Sequence, residues 1–166
     1  MPRLRGLGRS LALAGLLAAA ACTAGPVTTP PVTPGTSARP RELNIVARDD
    51  NFSPPAVDLV PGETVLIHVV NGGLQVHEAI IGDQRVQDAW EAAEANAPAV
   101  PPGATPAVSV PPALAGLRVV VHSGERVDVV WTVPVAADTV AALIVGCHLP
   151  GHYANGMHVA VRVAMR

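Results

Sequence analysis

The stretch AALIVGCHLPGHYANGMHVAVRVA, from Ala141 to Ala164, decides how the rest of the chain is read. Its two ends are of β type. L-I-V-G-C is a short apolar run. H-V-A-V-R-V-A alternates, with Val159, Val161 and Val163 on one face and His158, Ala160 and Arg162 on the other. Between them, Pro150-Gly151 and Asn155-Gly156 are turn formers. Two strands are thus joined by a loop that carries Cys147, His152 and Met157, each five residues from the next.

The same pattern of short β runs and Gly/Pro turns extends back to Leu43. L-N-I-V-A, A-V-D-L, T-V-L-I-H-V-V-N, E-A-I-I-G, L-R-V-V-V-H and R-V-D-V-V-W-T are expected strands, with V-P-G-E-T and S-G-E as turns. The expected fold is all-β, an antiparallel β-sandwich with one short helix inserted. That helix is D-Q-R-V-Q-D-A-W-E-A-A-E-A-N, Asp83 to Asn96, rich in Ala, Glu and Gln, with Val86, Trp90 and Ala93 along its packing side. Residues 97–116 form a Pro/Ala loop. No internal repeat, phosphate loop or transmembrane helix is expected after the N-terminal segment.

The N-terminus has the organisation of a secretory signal. Arg3, Arg5 and Arg9 precede an apolar run, Ser10 to Ala21, that is too short to span a bilayer. Small residues lead directly into Cys22, an arrangement that resembles a bacterial lipoprotein cleavage site with Cys22 as the lipidation residue. The alternative is ordinary cleavage nearby. Residues 1–22 are accordingly expected as signal peptide, 23–41 as a Pro/Thr-rich disordered tether, and 42–166 as the folded domain. The product would be exported and lipid-anchored at the outer face of the cell membrane, or periplasmic. With Cys22 modified or removed, Cys147 is the lone thiol, and no intrachain disulfide can form. The chain has 11 basic and 13 acidic residues and a formal net charge of −2. It becomes more acidic once the N-terminal arginines are removed, which argues against nucleic acid as a partner.

Thiolate, imidazole and thioether are soft donors, and such a set selects copper over magnesium or calcium. Adding a second imidazole to the Cys147–Met157 loop gives two His and a Cys with a weak axial Met, the arrangement of blue-copper electron-transfer sites. In V-V-N-G-G-L-Q-V-H-E-A-I-I-G-D, a strand break at Asn71-Gly72-Gly73 precedes His77, which opens the next strand.

These segments, with F-S-P-P-A-V-D-L-V-P-G-E-T-V, resemble the cupredoxin family, most nearly its rusticyanin-like and small exported plastocyanin- or azurin-like members. The likeness runs from about Leu43 to Val163 and is loose over residues 84–116. It implies a Greek-key sandwich, a cupredoxin domain binding one type 1 copper per chain through His77, Cys147, His152 and axial Met157. The implied role is a monomeric carrier of single electrons between redox protein partners, not an enzyme. A multicopper oxidase would need a His before the Cys, where this chain has Gly146. The alternative role is a carrier or resistance protein that buffers copper or passes it to copper-handling proteins.

His122 rivals His77, because a hairpin of Arg126–Thr132 with Ala141–Cys147 would bring it to the metal end. His148 is expected to face solvent or a partner, His158 to point outward, and His68 to lie packed or partly exposed in mid-strand. Family members of the plastocyanin and azurin type have Asn after the first His. This chain has Glu78, so backbone N–H groups are the substitute donors to the sulfur.

Overall fold

The computed structural model describes residues 31–101, 104 and 107–165. The expected signal peptide and Cys22 lie outside the described residues. Among the described residues nine strands form two sheets: β1 (Arg41–Arg48), β2 (Asn51–Ser53), β3 (Ala56–Leu59), β4 (Thr64–Asn71), β5 (His77–Gly82), β6 (Leu117–Val121), β7 (Arg126–Thr132), β8 (Ile144–Gly146) and β9 (His158–Val163). One sheet has the order β2-β1-β4-β7 and the other β3-β9-β8-β5-β6. Among the described residues no helix is long and apolar enough to cross a membrane.

The inner faces close on a core of β-branched and aliphatic side chains, including Ile45, Val57, Val65, Ile67, Val69, Val121, Val145 and Val161. Burying one such side chain contributes about 1.5–3 kcal/mol, so a core poor in aromatics still holds the sandwich together. Alternation in β9 holds for Val159 and Val161, which are buried, and stops at Val163, which is 40% exposed. In β4, His68 is buried, and its Nδ1 lies 2.8 Å from Asp128 Oδ1 on the neighbouring β7.

Several expectations are corrected. The sheets are mixed rather than wholly antiparallel, because β1 pairs parallel with β4 and β3 pairs parallel with β9. β7 pairs with β4 in the opposite sheet and makes no hairpin with β8. The expected strand over residues 141–147 starts only at Ile144, since Ala137–Ala141 forms a short helix, α2. Ahead of β1, Gly35 is held to the segment that leads into β4. The Gly35 carbonyl accepts from the Thr64 N–H at 3.0 Å, and the Gly35 N–H donates to Glu63 at 3.2 Å.

The inserted helix, α1, spans Gln84–Ala95 and is capped by Asp83, whose side chain accepts from the Val86 N–H. It packs on β5 and β8 with Val86 and Trp90 buried. Gln87 and Glu94 are also buried, and Ala93 is only half-buried.

Candidate metal centre

Strand register brings the donors together. β5 lies between β6 and β8, with Ile80 opposite Gly146 and His77 opposite Val121. His77 at the start of β5 therefore reaches the same end of the sandwich as Cys147, which follows β8. The loop from Cys147 returns through stacked turns. His152 N–H donates to the Leu149 carbonyl at 2.9 Å, and Gly156 N–H to the Tyr153 carbonyl at 2.9 Å. Gly151 and Gly156 take φ of 88° and 96°, a conformation that glycine adopts without strain. At the loop's root, the Met157 N–H donates to the His152 carbonyl, and the Cys147 N–H to the Met157 carbonyl.

One donor atom from each of His77, Cys147 and His152 lies within 4.8 Å of the others. Cys147 Sγ is 3.3 Å from His152 Nδ1. Met157 is fully buried at the base of the same loop and packs in the core cluster beside Cys147. His122 is not among the three; it is exposed in the β6–β7 turn.

The rings are oriented by their far nitrogens. His77 Nε2 lies 3.1 Å from Asp49 Oδ1, and His152 Nε2 lies 3.3 Å from Gln75 Oε1. Each partner oxygen is an acceptor, which places Nε2 of each ring to donate and leaves Nδ1 toward the cluster. His77 Nδ1 is buried and has no hydrogen-bond partner. Burial, then the neighbouring His77, lowers the His152 pKa, which keeps a ring lone pair available. Burial pushes the Cys147 thiol up to about 12; the Glu78 N–H opposes this, while the Glu78 and Glu94 charges add to it. A thiolate here needs a cation beside it. The residues therefore fit a soft metal ion: a buried orphaned nitrogen, a second oriented imidazole and a sulfur that a cation would ionise.

A layer of polar contacts holds the loop. The Glu78 N–H donates to Cys147 Sγ at 3.5 Å, as the sequence led us to expect of a backbone group. The buried Glu78 carboxylate accepts from the His148 N–H at 3.1 Å and from Arg118 Nε at 2.7 Å. His148 is 1% exposed, which corrects the outward-facing expectation. Its ring nitrogens lie 2.8 Å from Glu91 Oε2 and 2.7 Å from Gln87 Oε1, both on α1, and the ring stacks on Tyr153. Neither Gln87 nor Asp49 was singled out from sequence, because 61 and 28 residues separate them from the groups they hold. Gln75 had a signal: it lies two residues before His77 in an alternating run.

No protein-family model matches the sequence, and no curated protein matches it. Solved structures do. The dithionite-reduced auracyanin of the photosynthetic bacterium Roseiflexus castenholzii is 21% identical, with a TM-score of 0.56 over 78% of this chain and 99% of that one. Auracyanin B is 20% identical, with a TM-score of 0.57 over 81% of this chain and 94% of its own. At such identity the likeness speaks to architecture, and with the two-sheet topology and the inserted helix it establishes that the chain has the cupredoxin fold.

Proposed function

We propose that this protein is an exported one-electron carrier that holds a single type 1 copper through His77, Cys147 and His152, with Met157 as a weak axial ligand. The observation that carries the reading is the buried His77–Cys147–His152 cluster, with its orphaned His77 Nδ1 and its Nε2-anchored rings. Bound copper would supply the one-electron couple. The chain's own residues keep the donors fixed, since Asp49, Gln75 and the Glu78 N–H restrain ring and sulfur orientation whatever the charge state. His152 is the donor nearest solvent, at 7% exposed against 0% for His77, Cys147 and Met157. Leu74, Val76 and Pro150 line the same surface cavity as His152 and offer apolar surface suited to transient docking of a redox protein.

Electron transfer without further chemistry is favoured by the packing at Gly146. A Cβ there would lie 2.4 Å from Gln87 Oε1 and 2.8 Å from Tyr153, so a His leading to a second copper would have to displace both side chains. Export and a lipid anchor at Cys22 are supported by the basic, apolar and small-residue order of the N-terminus.

The copper-loaded protein should be intensely coloured when oxidised, and Cys147→Ser should abolish the colour. His77→Ala should disrupt the site while His122→Ala leaves the visible spectrum largely intact. Faint absorption from the loaded wild type would overturn the reading. Ready surrender of copper to a chelator in either redox state would instead mark a copper carrier.

A further inference from the structure

α1 carries a carboxyl group that the metal site does not use. Glu94 is 2% exposed. Its Oε1 accepts from Arg118 Nη2 at 3.2 Å, whereas Oε2 is buried and has no hydrogen-bond partner. An ionised oxygen buried without a donor is costly, and the neutral acid is less so. Arg118 is shared. Its Nε donates to Glu78 Oε2 at 2.7 Å, and its guanidinium lies 4.5 Å from the centroid of Trp90. Glu78 completes the link to the site, with its N–H on Cys147 Sγ and its carboxylate on the His148 N–H. Glu94 thus stands two side chains from the sulfur, through the partly exposed Arg118 and the buried Glu78, whose backbone N–H makes the last contact.

We propose that Glu94 is a proton-binding residue coupled to the copper site, taking up one proton when the site gains an electron and releasing it when the electron leaves. The proposal rests on the electron-carrier reading. The electron comes from a one-electron protein donor and the proton from solvent; the only bond formed is the O–H of the Glu94 carboxyl. An added electron makes the site one unit more negative, and a proton on Glu94 offsets that charge. Arg118 from β6 faces both Glu94 and Glu78 of β5, so one guanidinium serves two buried carboxylates. Glu91, on the same helix, faces His148 from the loop after β8 and adds a further negative charge nearby. Burial first, then repulsion from Glu78, pushes Glu94 up to about 7, against the pull of Arg118. Glu94 borders a surface cavity of about 890 Å³ that His122, Leu149 and His152 also line, which gives water a path to its vicinity.

The test has two arms. In the copper-free protein, carbon NMR of the Glu94 carboxyl should show a titration midpoint near neutrality. In the copper-loaded protein, voltammetry should show a potential that falls as pH rises through neutrality, reflecting proton binding about fivefold or more tighter in the reduced state. Glu94→Gln should remove that fall. A midpoint in the ordinary carboxylate range, or an inflection near neutrality that persists in Glu94→Gln, overturns the proposal. Absence of the blue colour would sink the electron-carrier reading instead, while the NMR arm still reports on Glu94.

Discussion

Met157 is joined to the other donors by backbone as much as by side chain: its N–H and carbonyl bond His152 and Cys147. Its side chain is wholly buried in apolar surroundings. A thioether at long range adds little to affinity but helps to set the potential. Met157→Leu should therefore keep copper and colour and raise the potential, because losing a weak donor hurts Cu(II) more than Cu(I). Met157→Gln should lower the potential, since an amide oxygen favours Cu(II). It should also cost about 1–3 kcal/mol of copper-free stability from burying an amide. If Met157 only fills the core, the stability loss appears without an ordered change in potential; voltammetry and urea unfolding on the three proteins separate the two roles. At this scale the sequence was most informative. Turn residues fix how the loop curls, so spacing alone brought Cys147 and His152 to one point. The Nε2 partners come from elsewhere, Asp49 from the turn between β1 and β2 and Gln75 from the β4–β5 connection, and the spacing of the Cys147–Met157 loop announces neither.

The helix α1 shows what a sequence pattern conveys about an element and what it withholds. Its ends follow from local chemistry, Asp83 capping the first turn and Asn96 the last. Its packing face does not, because a Gln and a Glu that look like solvent residues are buried there. Gln87 Nε2 donates to the carbonyls of Ile80, Gly82 and Ile144 at 3.2, 3.2 and 3.0 Å, while Oε1 faces His148. The helix therefore ties carbonyls of β5 and β8 together, and it holds the residue next to Cys147. Gln87→Leu keeps the volume and strips these bonds. Each unsatisfied buried group costs about 1–3 kcal/mol, and relaxation recovers part of that. A loss of about 2–4 kcal/mol in urea unfolding is expected, with a shifted visible spectrum in the loaded protein. A loss below about 1 kcal/mol would mean that α1 is a passive insertion.

For the whole molecule, the existence of a sandwich was legible, while its pairing and its starting point were not. Alternation identifies a strand and its buried face but carries no information on which edge it pairs. β7 thus crosses to β4, and the parallel pairs β1–β4 and β3–β9 went unforeseen. The starting point depends on Glu63, fully buried just before β4. Its carboxylate accepts from the N–H groups of Val60 and Gly35 and from the guanidinium of Arg41. It thereby joins the segment before β1, β1 itself and the turn between the sheets. Close approach is possible because residue 35 is a glycine: a Cβ there would lie 2.1 Å from the Thr64 carbonyl oxygen. Removing one partner of such a buried pair leaves the other uncompensated, so Glu63→Ala should destabilise by about 3 kcal/mol, the low end for buried pairs because Arg41 is partly exposed. Burial raises the Glu63 pKa, but Arg41 and the two N–H groups more than offset it, leaving it below 4.5. A depressed carboxylate contributes stability that is present above its unfolded value and lost as pH falls through the folded one. The gap in unfolding free energy between wild type and Glu63→Gln should therefore be fully open at neutral pH and close below pH 4.5. Urea titrations of the copper-free protein across that range measure it, and a gap that stays constant into acid would show that the charge on Glu63 does not hold the N-terminal segment to the sandwich.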